Sequence, residues 1–126
     1  MKLNEAIKRF DLLYPNAMEL PEKIALVSRL EGRINGEVLS LYGLADDTFT
    51  GYSAEDYPTT QLKAPFPFDD LYVKFLCAEN DLVCGDSVRY ANSARVFNDS
   101  YADFAAYMNR TYRVVCGARA TTEDLG

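Results

Sequence analysis

The sequence predicts a single, mainly α-helical domain, a small four-helix bundle in which a long irregular loop separates the second helix from the third. Three observations support this fold class. Apolar residues recur at three- or four-residue steps in four segments, which is the spacing of one helix face. Groups of proline, glycine and aspartate separate these segments. The chain has 126 residues, of which 48% are hydrophobic and 25% charged, and this suits one globular domain with one core.

The first two helices are predicted from their apolar stripes and from the residues that end them. The first helix covers residues 3–14 and ends before Pro15, because the residue before a proline disfavours the helical backbone. The second helix begins at Pro21, carries apolar side chains at helical spacing as far as Leu41, and stops at Gly43.

Two glycines, Gly32 and Gly36, lie inside the predicted second helix. Each lowers helix stability by up to about 1 kcal/mol relative to alanine. They have two interpretations. Either they mark a weak spot or a slight bend, or two small residues four apart let another helix approach closely.

Residues 44–67 have no helical periodicity and form the predicted long loop. Loops of this length in a compact domain are usually functional or disordered. Segments 48–52 and 59–63 have the residue types of short strands and could pair as a β-hairpin. The loop is too apolar for a solvated linker, because it contains five large apolar residues: Phe49, Tyr52, Tyr57, Leu62 and Phe66.

The third helix is predicted to begin at Phe68, with Asp69 as its N-cap, and to end at Gly85 in a left-handed conformation. Glu79 falls on its apolar side, so we expect a buried or hydrogen-bonded carboxylate there. The next residue after the glycine, Asp86, is predicted to cap the fourth helix.

The fourth helix is predicted over residues 87–112, which contain no glycine or proline. Its length is roughly 39 Å at about 1.5 Å per residue. Because so few residues join it to the third helix, the two must form an antiparallel hairpin. Its core-facing stripe is predicted to contain Tyr90, Ala94, Phe97, Tyr101, Phe104 and Met108.

The composition excludes several classes of function. The chain has no histidine, which removes Ser-His-Asp and Cys-His catalysis and the commonest transition-metal ligand. No glycine-rich phosphate-binding motif occurs. The net charge of −6 argues against binding to nucleic-acid phosphates and to anionic membranes. We therefore predict a protein that is not an enzyme and holds no cofactor.

The acidic and cysteine residues have structural interpretations. Glu79 and Asp81 point about 200° apart on one helix and cannot share a catalytic site. The loop acids Asp46, Asp47, Glu55 and Asp56 are interpreted as a solvated cluster, since their spacing matches no metal-binding loop. The three cysteines, Cys77, Cys84 and Cys116, are interpreted as buried small hydrophobic residues.

The C-terminal part of the chain has the features of a contact element. Tyr107 and Tyr112 lie near the end of the fourth helix, where tyrosine suits either an interface or the edge of the core. Residues 113–126, beginning at Arg113, lose periodicity, so we expect a tail that is either flexible or ordered only against a partner.

Residues 67–76, PFDDLYVKFL, resemble the P-[YF]-D-x-L-Y-x-x-[YF]-L segment of head–tail connector (adaptor) proteins of tailed bacteriophages and Firmicutes-type prophages. The upstream stretch 30–38, LEGRINGEV, is similar to the second helix of those proteins, with Glu31 where aspartate is usual. The residues that carry the resemblance are Pro67, Asp69, Leu71, Tyr72, Asp81, Gly85, Tyr90, Asn92, Phe97, Asn98, Tyr101 and Phe104.

The resemblance implies a structural protein that forms a homo-oligomeric ring between the portal protein and the downstream neck or tail proteins. Such a ring can line the DNA channel without sequence-specific binding, and it passes from the host cytoplasm into the neck of the virion. No signal peptide or membrane-spanning stretch contradicts this. The expected assembly interface comprises Asp46, Asp47, Phe49, Tyr52, Tyr57, Leu62, Phe66, Tyr107, Tyr112 and Arg113. The alternative is a small acidic protein-binding regulator encoded by a mobile element.

Overall fold

The computed structural model describes residues 1–114, and this part of the chain is mainly helical, as predicted. It contains four α-helices: α1 (Leu3–Leu13), α2 (Leu20–Glu37), α3 (Leu71–Val83) and α4 (Ser87–Thr111). Two short 3-10 turns, Leu39–Tyr42 and Phe68–Asp70, follow α2 and precede α3. None of these helices is both long enough and apolar enough to cross a membrane.

All four helices share one core. The most extensive helix–helix contact joins α3 and α4, which lie together as the predicted hairpin, while α1 and α2 both pack against α3. Each helix contributes an apolar face with the period of a helix. The largest fully buried hydrophobic side chains are Leu3, Ile7, Phe10, Val27, Leu30, Ile34, Leu71, Tyr72, Leu76 and Phe104.

The second helix ends four residues earlier than predicted. It stops at Glu37, and a 3-10 turn continues to Tyr42 before Gly43 ends the segment with a φ of 71°. The Ser40 hydroxyl donates to the Gly36 carbonyl at 2.6 Å, a local bond that competes with the regular helix. The tighter turn buries both Leu39 and Tyr42.

The predicted β-hairpin within the loop is wrong. Across residues 1–114 the only β pairing is an isolated bridge between Lys2 and Gln61. The start of α1 provides the partners of segment 59–63, because Leu3 N–H donates to Thr60 O at 2.9 Å and Leu62 N–H donates to Met1 O at 3.0 Å. Segment 59–63 therefore pairs with the residues around α1 and is not available to 48–52.

The predicted N-cap of the third helix is also wrong. Asp69 lies in the 3-10 turn before α3, and no side chain caps α3. Its carboxylate is buried and accepts from the Met1 amino nitrogen at 3.1 Å instead. The predictions at the other end are confirmed: Gly85 has a φ of 76°, and Asp86 accepts from Arg89 N–H at 3.0 Å.

The stripe on α4 is confirmed over its C-terminal half, where Phe97, Tyr101, Phe104 and Met108 are buried. Tyr90 and Ala94, nearer the hairpin turn, are only partly buried. The interpretation of the cysteines as buried is right for Cys77 and wrong for Cys84. Cys84 is exposed because it caps the C-terminus of α3 at the turn, where no other element covers it. The predicted tail lies outside the described residues from position 115 onward, and so does Cys116.

Candidate functional site

One flank of α2 carries a row of polar residues that binds the long loop. Ser28, Glu31 and Asn35 follow the spacing i, i+3, i+7, so they lie along one side of the helix. Ser28 Oγ accepts from Tyr52 N–H at 2.8 Å. Asn35 donates to the Asp46 carbonyl at 2.8 Å and accepts from Asp46 N–H at 2.9 Å. Two members of this anchoring row (Ser28, Glu31 and Asn35) therefore fix the first half of the loop at two points, Asp46 and Tyr52.

The central member of the anchoring row, Glu31, is completely buried and binds both halves of the loop. Its Oε2 atom accepts from the Tyr52 hydroxyl at 2.7 Å and from Lys63 N–H at 2.9 Å. Its Oε1 atom accepts from the Tyr72 hydroxyl of α3 at 2.5 Å. Tyr72 in turn accepts from Ala64 N–H at 2.8 Å. One carboxylate thus joins α2, α3 and two distant points of the loop.

The electrostatics of this network follow from its burial. Burial raises the pKa of the Glu31 carboxyl above its usual range, opposed by the hydrogen bonds from Tyr72, Tyr52 and the Lys63 backbone. Burial and the adjacent carboxylate raise the pKa values of Tyr72 and Tyr52. Both hydroxyls therefore remain protonated donors. A carboxylate with no exposed surface and three donors already in place has no room for a substrate, so its role is to hold the loop.

Glu79 is the hydrogen-bonded carboxylate that the sequence predicts, because it is partly buried and accepts from the Arg29 guanidinium. The Glu79 side chain is 19% exposed and lies 3.4 Å from the Arg29 guanidinium. The most deeply buried carboxylate is Glu31, with Asp81 and Asp69 also buried. The sequence contained a signal for it, because Glu31 continues the apolar stripe formed by Val27, Leu30 and Ile34.

The predicted interface residues of the loop fall into two groups. Leu62 is in the core and only 4% exposed, so its placement in the assembly interface is corrected: it belongs to the interior of the subunit. Tyr52 and Tyr57 pack against the core, and the Phe49 ring contacts Tyr52 edge-on with centroids 5.1 Å apart. Those that remain at the surface are Asp46, Asp47 and Phe66, the last of them 84% exposed.

The acids of the loop act locally. Asp46 accepts from both the backbone and the hydroxyl of Thr48, which lowers the pKa of its carboxyl. Asp56 accepts from Ser53 N–H at 2.8 Å and closes a turn. Among residues 1–114, no three side chains of the His, Cys, Asp or Glu types are grouped so that they could hold a metal ion.

The predicted interface residues near the end of α4 lie at the surface or at the edge of the core. Tyr107 is half-buried against the Phe68 ring, with centroids 4.7 Å apart. Tyr112 is 44% exposed and lies 6.2 Å from the Tyr42 ring, and Arg113 is exposed.

The residues that carry the family resemblance mostly serve the fold. Leu71, Tyr72, Phe97, Tyr101 and Phe104 are core residues. The Asp81 carboxylate is buried and lies 3.7 Å from Arg89. Asn92 and Asn98 are exposed and contribute no side-chain hydrogen bond within the described chain.

Two exposed apolar clusters lie at opposite ends of α4. The hairpin cluster, at its N-terminal end, contains Leu82, Val83 and Val88, which are 52%, 74% and 71% exposed. From Val88 to Tyr112 the helix rises about 36 Å. Near its C-terminal end the Tyr42 and Tyr112 rings lie with their centroids 6.2 Å apart. We define the distal cluster by the exposed apolar residues next to these two tyrosines in the sequence together with Tyr112 itself: Leu41, Leu44, Tyr112 and Val114, which are 42–48% exposed.

A cleft of about 320 Å³ opens between α1, α3 and α4. Its lining is mainly apolar and includes Leu13, Val73, Cys77 and Val96, with Arg9 at its rim. Its lining contains one acid, Asp70, which forms an ion pair with Lys74 at 3.0 Å. Burial raises the pKa of the Cys77 thiol to about 11, so this thiol stays protonated. The chemistry of the cleft therefore suits contact with an apolar side chain better than catalysis.

Comparisons of this chain with protein-family profiles, with curated proteins and with solved structures yield no match.

Proposed function

We propose that this chain is a structural subunit of a phage or prophage virion, a head–tail connector that forms a ring between the portal and the tail. The observation that carries the proposal is the pair of exposed apolar clusters at the two ends of α4. A ring between the portal and the tail contacts different proteins on its two sides, so each subunit must present two different surfaces to them. The hairpin cluster and the distal cluster are separated by about 36 Å and differ in composition, as such contacts require.

The anchored loop supports the same function. Because Glu31, Ser28 and Asn35 hold it against α2, the loop offers a surface that is formed before a partner arrives. A preformed surface loses less conformational entropy on binding than a disordered segment. Its exposed residues, Asp47 and Phe66 among them, are then the contact points for the portal protein or for later neck proteins.

The resemblance of residues 67–76 to head–tail connector proteins supports this class of function, and the net charge of the chain is compatible with a place around DNA. A chain with a net charge of −6 is repelled by nucleic-acid phosphates, so it can surround passing DNA without retaining it. The function requires no catalytic group or cofactor.

The test is reconstitution with the portal protein encoded in the same genome. The chain is mixed with purified portal rings and viewed by negative-stain electron microscopy, and purified virions are analysed by mass spectrometry. We expect an added ring on the portal and the chain among the virion proteins. Val88→Lys, which places a charge in the hairpin cluster, should prevent the added ring, whereas Ala25→Lys at an exposed position of α2 should not.

Absence of the chain from virions, together with portal rings that gain no density, overturns the proposal. A complex with a single host protein at fixed stoichiometry, and no ring, instead indicates the acidic regulator. The neighbouring genes provide an independent check, since capsid, portal and tail genes should surround a connector gene.

A further inference from the structure

Two helices carry the same spacing of residues with opposite charge. Residues 29–36 of α2 read R-x-x-G-R-x-x-G, and residues 99–106 of α4 read D-x-x-A-D-x-x-A. Each pattern occupies positions i, i+3, i+4 and i+7, which lie on one face of a helix. All eight residues are exposed: Arg29, Gly32, Arg33, Gly36, Asp99, Ala102, Asp103 and Ala106.

The basic face, defined by the four residues of α2, points away from the core, roughly opposite the stripe that α2 buries. The Arg29 side chain is 68% exposed and lies 3.4 Å from Glu79. The Arg33 guanidinium lies 4.3 Å from the Tyr101 ring centroid and donates to Glu37 at 2.9 Å. Both guanidinium groups are thus held at defined positions while one side of each remains open to solvent.

Gly32 and Gly36 each follow an arginine by three residues and leave the helix backbone beside the arginines uncovered. A Cβ atom added to either glycine would meet no atom within 4 Å, so packing inside the subunit does not require glycine there. Glycine within a helix is unfavourable relative to alanine. Beside Gly32 the surface opens into a depression of about 250 Å³, bounded by Phe49, Thr50 and Gly51 of the loop. Beside Gly32 the basic face therefore borders a shallow groove, with Arg29 on one side and the loop on the other.

The acidic face, defined by the four residues of α4, is opposite in charge to the basic face, and its charged residues have the same spacing along the helix. It lies roughly 180° around the helix from the buried stripe of Tyr101 and Phe104. Asp99 and Asp103 make no ion pair or hydrogen bond with any residue between positions 1 and 114. Ala102 and Ala106 project only a methyl group, so another backbone can approach between the two carboxylates.

We propose that the basic face of one copy binds the acidic face of a neighbouring copy. Arg29 and Arg33 are four residues apart, as are Asp99 and Asp103, and both pairs span about 6 Å along a helix axis. Each guanidinium can therefore meet one carboxylate, and arginine binds carboxylate through two parallel hydrogen bonds. Glycines opposite alanines let the helix axes come close enough for both pairs to form together.

This inference rests on the proposed function, because it specifies the contact between ring subunits. The two faces belong to different helices, so every copy has one of each to offer. Contacts of this kind repeat from copy to copy and produce a ring or a chain of subunits.

The first experiment measures self-association by sedimentation velocity over a range of protein concentrations. Asp99→Lys with Asp103→Lys should weaken association at least about tenfold, since like charges then meet across the contact. The matched control, Glu55→Lys with Ala54→Lys and Thr59→Lys, makes the same change in net charge at exposed loop positions and should leave association unaltered. Association of the wild-type chain should also weaken as salt is raised, because exposed charges are screened.

A second variant separates the contact from the fold. In the double variant Gly32→Gln with Gly36→Gln, the new side chains start into open space in the single subunit, and two residues that are unfavourable in a helix are removed. We expect a higher melting temperature together with a loss of association of at least about tenfold, because the longer side chains hold the partner helix away.

The decisive experiment is a charge exchange between two variants. One carries Arg29→Glu with Arg33→Glu, and the other carries Asp99→Lys with Asp103→Lys. Each alone should fail to self-associate, because its two faces then carry the same charge. An equimolar mixture should form assemblies in which the two variants alternate, because the Glu face of the first variant complements the Lys face of the second, and the unaltered Asp face of the first complements the unaltered Arg face of the second.

Each other outcome overturns the inference. If the wild-type chain associates and the variants associate equally well, these faces are not the contact, and the proposed function is unaffected. The contact is also ruled out if the wild-type chain stays monomeric at its highest soluble concentration and the mixture of the two variants stays monomeric too. In that case the presence or absence of the chain in virions still tests the proposed function.

Discussion

Replacing Glu31 with alanine should be among the most destabilising single changes in this chain. Glu31 accepts three hydrogen bonds, from Tyr52, Tyr72 and the Lys63 backbone, and has no exposed surface. The Tyr72 hydroxyl and the Lys63 N–H would lose their acceptor in the interior. Each orphaned buried donor costs about 1–3 kcal/mol, and the Tyr52 hydroxyl, which lies nearer the surface, costs less. The expected loss is therefore about 3–5 kcal/mol.

A loss of that size is a large fraction of the stability of an ordinary domain, which is about 5–15 kcal/mol. Urea unfolding followed by far-ultraviolet circular dichroism measures the free energy of unfolding. The matched control is Glu55→Ala, the same chemical change at an exposed loop position, which should alter the free energy by less than about 0.5 kcal/mol. Equal free energies of unfolding for the two variants would refute the argument that Glu31 anchors the loop.

The same variant has a local signature. Because Glu31 binds loop residues Tyr52 and Lys63 directly, its loss should expose the backbone of 44–67 before the α3–α4 hairpin opens. Hydrogen exchange followed by mass spectrometry should therefore show faster exchange in peptides of the loop than in peptides of α4. Uniformly faster exchange along the whole chain would mean that Glu31 supports the core in general and not the loop in particular.

The remaining predictions concern titration and helix ends. Burial raises the pKa of Glu31, so the contribution of this residue to stability is complete below its unfolded pKa of about 4.5 and is lost as pH rises through its folded pKa. The difference in free energy of unfolding between wild type and Glu31→Gln should therefore shrink from pH 4 to 7. A difference that grows over this range would contradict the argument. Gly32→Ala should stabilise the chain by about 0.5–1 kcal/mol, whereas Gly85→Ala, at a φ of 76°, should destabilise it by about 1 kcal/mol, both by urea unfolding. Asp86→Ala should cost about 1 kcal/mol, because the Arg89 N–H loses its acceptor, while Asp86→Asn should retain most of the stability.

The helices were predictable because their signals are local. A 3.6-residue stripe and a terminal glycine or proline lie within a few residues of each other, and they gave α1, α4 and the turn at Gly85 nearly to the residue. The errors occurred where a distant segment decided the outcome. The Asp69 carboxylate binds the Met1 amino group and does not cap α3, and segment 59–63 pairs with the start of α1. No pattern confined to the neighbouring sequence contains those partners.

The buried carboxylate illustrates the same limit in the candidate site. The position of Glu31 within an apolar stripe indicates burial, but burial of a charge is tolerable only when donors satisfy it. Those donors come from Tyr52, Lys63 and Tyr72, which lie between 21 and 41 residues away in the sequence. Periodicity can therefore locate such a carboxylate on its helix, yet only the folded chain identifies what it holds.

One flank of α2 binds the loop, and its outward face carries the proposed contact with a neighbouring copy. The anchoring row holds the loop from one flank, while the outward face leaves Gly32 and Gly36 open. Because the loop borders that open face at Gly51, loss of the Glu31 network should also disturb the wall of the groove. A variant at Glu31 that still folds should therefore associate less well than wild type, even though Glu31 itself is buried. In the proposed contact, α2 both holds the loop and binds the neighbouring copy, so a substitution on one side of this helix should alter the function of the other side.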